Sequence, residues 1–312
     1  MADLGGVTLA RAEVPRALAG ERLDRVVAIL WDLPRGEVSE LVSSGRVRVD
    51  GHAASSRSRR VLEGEVVEVE EPPAPPEAGV EPDLDVPVPV VAADEHVVVV
   101  DKPPGLVVHP GPGHGWGTLV HGLVARWPEL ASVGDPGRPG IVHRLDAGTS
   151  GLLAVARTPL AYASLVAQLR ARTVERRYFA LVWGHVDPPA GMVDAPVGRS
   201  GRARTQMAVS ATGREARTRY QVLQRFEDPA PLSLLECTLE TGRTHQVRVH
   251  LAAIGHPVAG DVRYGGRRPA LPVGRLFLHA HFLAFDHPAT GERRHHTSPL
   301  PADLEEVREL LR

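Results

Sequence analysis

The chain has 312 residues, 43% of them hydrophobic, and a formal net charge of −2, which predicts about two domains with ordinary cores. Its single cysteine, Cys237, sits in an apolar run and excludes an internal disulfide and an all-cysteine metal site, so a reducing, cytoplasmic setting is expected. No secretory pattern opens the chain and no apolar run approaches the roughly 18–20 residues of a membrane span, so no membrane contact is expected. Residues 21–31 place Leu23, Val26, Val27 and Leu30 on one helical stripe. Residues 35–43 predict a second short helix, with Val38, Leu41 and Val42 inward and Gly45 as its stop. Residues 46–50 alternate as a strand into a turn at Asp50 and Gly51, and 64–70 form another strand. Arg46, Arg48, Arg57, Arg59 and Arg60 gather around this hairpin.

Residues 71–89 are acidic and rich in proline, which predicts a semi-rigid linker. A strand over 97–100 runs into a Pro/Gly turn and a second short strand within 101–109. A Gly/Pro/His loop over 110–118 and a helix over 118–127 follow. Residues 141–146 and 151–157 read as strands around a small-residue turn. Thr158 caps a helix that Pro159 opens and that ends near Arg172. Strands are predicted over 176–184, 218–226, 232–240 and 276–285. Thr244 is expected to cap a helix bearing Val247, Leu251 and Ile254, with Gly255 past its end, and 302–311 forms a last helix. Strands outnumber helices and lie in adjacent pairs without a βαβ rhythm. The expected class is α+β with a mainly antiparallel, mixed sheet. The predicted domains are 15–70 and 90–312, joined by the linker.

Charge is unevenly spread. Residues 71–101 carry eight acids and no base, whereas 102–312 carry 26 bases against 18 acids. Within 170–225 there are eleven arginines against four acids, Arg176 and Arg177 among them. A basic body behind an acidic strap points to a polyanionic partner.

The run His-Arg-Leu-Asp-Ala-Gly-Thr-Ser-Gly over 143–151 sets Asp146 between Arg144 and a small-residue turn, with apolar segments on both sides. A carboxylate there is costly to bury unless it is paired or used. It could be a nucleophile, a general base or half of a structural ion pair. Arg243 stands just before a helix and could pair with a carboxylate or hold a phosphate. Tyr178 has apolar neighbours and is either a core residue or a ring that stacks on a base. His279 and His281 have metal-like spacing but no acidic or cysteine partner nearby, so no metal is expected. Neither a phosphate-binding loop nor a dinucleotide fingerprint is present, so no cofactor is expected.

The 143–151 run resembles the signature of the RluA-type pseudouridine synthases. Residues 101–109, the Tyr178 strand and 242–250 running on to Gly255-His-Pro-Val-Ala-Gly-Asp261 agree in order and spacing, as do 278–280 and 287–291. The first domain resembles the alpha-L RNA-binding domain through Arg22-Leu23-Asp24 and the run over 44–51. The resemblance implies an isomerase that turns uridine in RNA into pseudouridine without cofactor or metal. It implies ribosomal RNA as partner, that of the large subunit or its assembly particle, and no obligate protein partner. Carried over, Asp146 is the catalytic carboxylate, which attacks the sugar or abstracts a ribose proton. Arg144 enters the RNA helix as the target nucleotide leaves, at a cost of a few kcal/mol for flipping. Tyr178 stacks on the uracil and assists proton removal from carbon 5, and Arg243 pairs with Asp146. The hairpin arginines, Arg176 and Arg177 contact RNA phosphates. Two rival readings remain at this level: a glycosidase, which needs a second carboxylate about 5–9.5 Å away, and an RNA-binding assembly factor, for which Asp146 would be dispensable.

Overall fold

Valine builds most of the N-terminal core, and its alternation with charged residues sets the strands. The computed structural model describes residues 9–31, 33, 35–70, 79–111, 114–201, 203 and 206–312, with Arg35 by its backbone alone. The chain divides into two compact units, Met1–Ala78 and Gly79–Arg312. In the first, β1 (Leu9–Glu13), β2 (Val47–Val49), β3 (His52–Ala53) and β4 (Val66–Glu70) form an antiparallel sheet in the order β1-β4-β2-β3. The helices α1 (Leu23–Leu30) and α2 (Arg35–Ser43) bury Leu23, Val26, Val27, Val38 and Leu41 against Val47, Val49, Val67 and Val69. Asp50 and Gly51 both have positive φ, at 50° and 78°, the combination a tight two-residue hairpin demands. The sequence reading missed β1, whose alanines give little β preference.

The second unit contains β5 (Val90–Ala93), β6 (Val97–Lys102), α3 (Leu119–Arg126), β7 (Ser150–Ala156), α4 (Pro159–Ala171) and β8 (Glu175–Trp183). It continues through β9 (Ala190–Asp194), β10 (Val197–Arg199), β11 (Met207–Val209), β12 (Arg217–Phe226), β13 (Leu232–Leu239) and α5 (Gln246–Ala253). Last come β14 (Leu278–Asp286), β15 (Arg293–Thr297) and α6 (Ala302–Glu309). The main sheet runs β5-β6-β7-β14-β8-β13-β12-β9, with β15 also on β14. Its pairings are antiparallel except for β7 with β14. Successive valines of β6 divide between the two faces. Val98 and Val100 pack with Leu119, Leu123 and Leu153, while Val97 and Val99 pack with Leu152 and the α4 residues Ala161 and Leu165. Cys237 is buried in the first of these cores, where burial pushes its thiol up to about 12. No helix of the described residues is long and apolar enough to cross a membrane.

Three expectations need correction. The linker was expected over 71–89. Residues 71–78 lie outside the described set, but 79–89 pack on the second unit: Val86 and Val88 are buried, and the Asp83 N–H donates to the His121 carbonyl at 3.1 Å. Apolar valines between the prolines outweigh the acidic composition there. Residues 141–146 are not a strand; only Ile141 bridges, to Val155. His143 Nε2 instead accepts the Ala154 N–H at 3.0 Å, so a side chain takes a bond that a neighbouring strand would have used. The second short strand within 101–109 is likewise absent, because the Val107 and Val108 carbonyls accept from Leu119 and Val120 at the start of α3.

Candidate active site

The loop that carries Asp146 is clamped from beneath. Lys102, at the end of β6, is fully buried and donates to the carbonyls of Pro103, Leu106 and Ala147 at 2.8, 2.8 and 3.2 Å. Three acceptors match the three donors of an ammonium group. Burial draws its pKa down to about 7, while the charges of Asp146 and Asp101 pull the other way. The Gly105 N–H also donates to the Ala147 carbonyl, at 2.7 Å, so the 103–106 turn and the Asp146 loop are tied twice. On the downstream side, Gly151 has φ of +115°, and a Cβ there would lie 2.3 Å from the Ala280 carbonyl oxygen of β14. His143 is kept neutral: burial and the Arg176 charge lower its pKa to about 3.

Asp146 projects from this loop with 16% of its side chain exposed. Its ion-pair partner is Arg248 of α5, whose Nη1 donates to Oδ2 at 3.0 Å. The same guanidinium grips Asp261 through Nε at 2.7 Å and Nη2 at 3.0 Å, and lies over the Tyr264 ring at 5.0 Å. Burial alone would lower the Arg248 pKa, but the bonds and charges of Asp261 and Asp146 more than offset it and raise it. Arg248 is thus fixed by one carboxylate and presents its remaining edge to the other.

His245 forms the next wall. It occupies the left-handed region at φ of 58°, immediately before α5. Such backbone is uncommon for a non-glycine residue and concentrates at functional sites. The Tyr264 hydroxyl oxygen accepts the Met207 N–H at 3.1 Å and is hydrogen-bonded to His245 Nδ1 at 2.8 Å. The other ring nitrogen, Nε2, faces Asp146 Oδ2 at 4.0 Å. Burial lowers the pKa of His245, against the pull of Asp146. Thr244 is not the cap foreseen for α5: the N-cap is His245, without a side-chain cap bond, and the Gln246 side-chain oxygen accepts from the Arg243 N–H at 3.0 Å and from the Thr241 hydroxyl at 2.7 Å.

Tyr178 stands on β8, buried, and lines the same cleft of about 550 Å³ as Asp146, Arg144, Arg176, Arg243, His245 and Arg248. Burial raises the pKa of its hydroxyl, and the Asp146 charge acts in the same sense against Arg176. Eight arginines and two acids line this cleft. A second hollow shares Arg144, Asp146, His245 and Arg248 with it and adds Arg263, Arg267, Arg268 and Arg275. Asp146 thus stands where two basic hollows meet. Arg144 is exposed and has no hydrogen bond or ion pair among the described residues.

Two expected site residues behave differently. Arg243 does not pair with Asp146: its Nε donates to the Glu215 carbonyl at 2.9 Å. It precedes α5 and points away, whereas Arg248 lies one turn inside the helix, three residues from His245 and on the same face. Arg177 is on the opposite strand face from Tyr178, bound to Glu175 and Glu236 and lying 4.8 Å from the Phe282 ring centre. Its charge is neutralised away from the cleft. In the first unit, Arg46, Arg57 and Arg60 bond to Ser44, Ser39 and the Gly20 carbonyl, Arg59 pairs with Glu65 at 2.8 Å, and Arg48 is exposed. His279 binds Ser150 and the Ser298 carbonyl, and His281 stacks on Phe179. Among the described residues no three of His, Cys, Asp and Glu gather as metal ligands. Lys102, His245, Arg248, Asp261 and Tyr264 were not foreseen. Two signals were legible: the charge of Lys102 beside apolar β6, and the three-residue spacing of His245 and Arg248.

The chain is similar to proteins of known family. Residues 96–253 match the RNA pseudouridylate synthase family, and 21–67 match the S4 domain. A Chloroflexus aurantiacus protein named an uncharacterized RNA pseudouridine synthase is 47% identical over 98% of this chain and 96% of its own length. The Pseudomonas aeruginosa ribosomal large subunit pseudouridine synthase D is 43% identical over 96% and 95%. Among solved structures, human RNA pseudouridylate synthase domain containing 1 aligns with a TM-score of 0.58 and 28% identity, over 73% of this chain and 90% of that one.

Proposed function

Because this chain belongs to the RNA pseudouridylate synthase family, with an S4 domain in front, we propose that its substrate is large-subunit ribosomal RNA and that Asp146 is the catalytic carboxylate acting on a flipped uridine. The isomerisation breaks the bond from ribose C1′ to N1, turns the uracil and joins C1′ to C5. One proton leaves C5 and one is taken up at N1, so nothing is gained or lost. A carboxylate serves as nucleophile at C1′ or as base at the ribose.

The observation that carries this reading is the Asp146 carboxylate, partly exposed at the junction of two arginine-lined hollows and oriented by Arg248. Tyr178 offers a ring for the uracil face. Arg144, exposed and without a hydrogen bond or ion pair among the described residues, suits insertion into the stack that the base vacates. His245 holds Nε2 4.0 Å from Asp146, where as a donor it would steady the carboxylate or a ribose oxygen. In this reading Arg248, not Arg243, is the carboxylate's partner.

Asp146→Asn is expected to abolish pseudouridine formation while RNA affinity stays within about tenfold, ~1.4 kcal/mol. Full turnover by this variant would sink the assignment. The ribosomal target is tested by pseudouridine-specific labelling and mass spectrometry of ribosomal RNA from cells lacking the protein. Large-subunit sites should lose their mark, and an unchanged large-subunit pattern would overturn that choice.

A further inference from the structure

Among the described residues Arg176 is a cation without a counterion, in a place where charge is costly. It lies on β8 with 7% of its surface exposed, and its Nε is buried without a partner. Among the described residues its guanidinium has no hydrogen bond and no ion pair. Its neighbours differ: Arg177 holds two glutamates and Arg248 two aspartates. Burial lowers the Arg176 pKa, yet a guanidinium remains charged in a protein. His143, close enough to feel that charge, is neutral and cannot compensate it. Buried charges are paired as a rule, so an unpaired one waits for a partner from outside.

The surroundings indicate an anion. Arg176 lines the cleft that holds Asp146 and Tyr178. A Cβ on Gly242 would come 2.8 Å from Arg176 Nη1, so this glycine keeps space for the guanidinium. Across the same wall, burial and the charges of Arg214 and Arg172 depress the pKa of Arg243, and only Glu215 opposes them. Glu215 is itself shared between Arg172 at 2.8 Å and Arg217 at 3.2 Å. This side of the cleft is therefore positive and short of counterions.

We propose that Arg176 is a preformed site for one RNA phosphodiester, that flanking the uridine which enters the cleft beside Tyr178. The proposal rests on the reading of Asp146 and Tyr178 given above. Arg176 and Tyr178 lie two residues apart on one strand face, about 6–7 Å along the strand, a separation one nucleotide can bridge. A planar guanidinium suits a phosphate because its fork matches two oxygens at once. A phosphate also carries the missing charge, which a uracil oxygen does not.

The test uses the full chain in the Asp146→Asn background, so that binding is read without turnover, and an unmodified large-subunit ribosomal RNA transcript. Arg176→Met should weaken binding about tenfold or more at low salt. It should also reduce the slope of log affinity against log salt by roughly 0.7–0.9, one phosphate contact. Arg176→Lys should keep the slope. Arg176→Met should melt at or above the parent's temperature, because no partner is orphaned. Unchanged affinity and slope, or a variant that melts well below its parent or does not fold, would overturn the proposal. Full turnover by Asp146→Asn alone, with the Arg176 effect intact, would remove the catalytic reading and leave the phosphate site.

Discussion

Five positions separate Arg243 from Arg248, and the difference is which way each faces. Both fall in the run over 242–250 that resembles the family. Nothing in a linear motif says where the helix starts. The N-cap of α5 is His245, the Gln246 side chain reaches back to the Arg243 N–H, and Arg243 is left outside α5 with its guanidinium on the Glu215 carbonyl. Arg248 comes one turn later and spans Asp146 and Asp261. Lysine cannot reproduce a fork that serves two carboxylates. Arg248→Lys should therefore lower the single-turnover rate about 10²-fold or more, because the carboxylate loses its fixed position. Arg243→Gln should alter RNA affinity with a much smaller effect on that rate. Equal rate losses in the two variants would contradict the pairing seen here.

Among the elements, the long amphipathic or uniformly apolar ones were legible and the short or interrupted ones were not. The bounds of α2 agree with the expected 35–43, since its apolar spacing and the glycine stop coincide. The strands β12 and β13 pair as their adjacency suggested. By contrast β9, β10 and β11 are short and partly exposed, and their sequences show no regular alternation. The segment 141–146 has strand-like composition, but His143 substitutes a side-chain bond for a ladder. Gly151 is the element-scale hinge of the site. It combines a backbone angle that side chains avoid with direct contact against β14. Gly151→Ala should destabilise the second unit by about 2–4 kcal/mol, from left-handed strain and overpacking together. Urea unfolding measures this, and a loss below about 0.5 kcal/mol would show that β14 yields easily.

Across the whole molecule the charge division predicts how RNA is held. A net charge of −2 conceals the basic clefts of the second unit and the arginines around the hairpin of the first. Those hairpin arginines are not equivalent. Arg59 is engaged by Glu65, whereas Arg48 is exposed with no partner among the described residues and the Arg57 guanidinium donates to the Ser39 hydroxyl. Replacing Arg48 and Arg57 together by glutamine should weaken binding to structured ribosomal RNA. The salt slope should fall by up to about 1.4–1.8, two contacts. Conversion of RNA already bound should proceed at the parent rate. An unchanged slope would place the RNA contacts of this unit elsewhere.

The α+β class, the two-part organisation, the family and the identity of the candidate carboxylate are all properties of local pattern. Hydrophobic period, turn chemistry and motif order lie along one chain and can be read there. Tertiary structure alone decided which arginine meets Asp146, that Lys102 clamps its loop, that Tyr264 bonds to His245, and that Arg176 has no counterion among the described residues. Each of these is a contact between segments distant in sequence, or the lack of one. Whether a charge is paired, and which way a ring nitrogen points, depends on what the folded chain brings beside it.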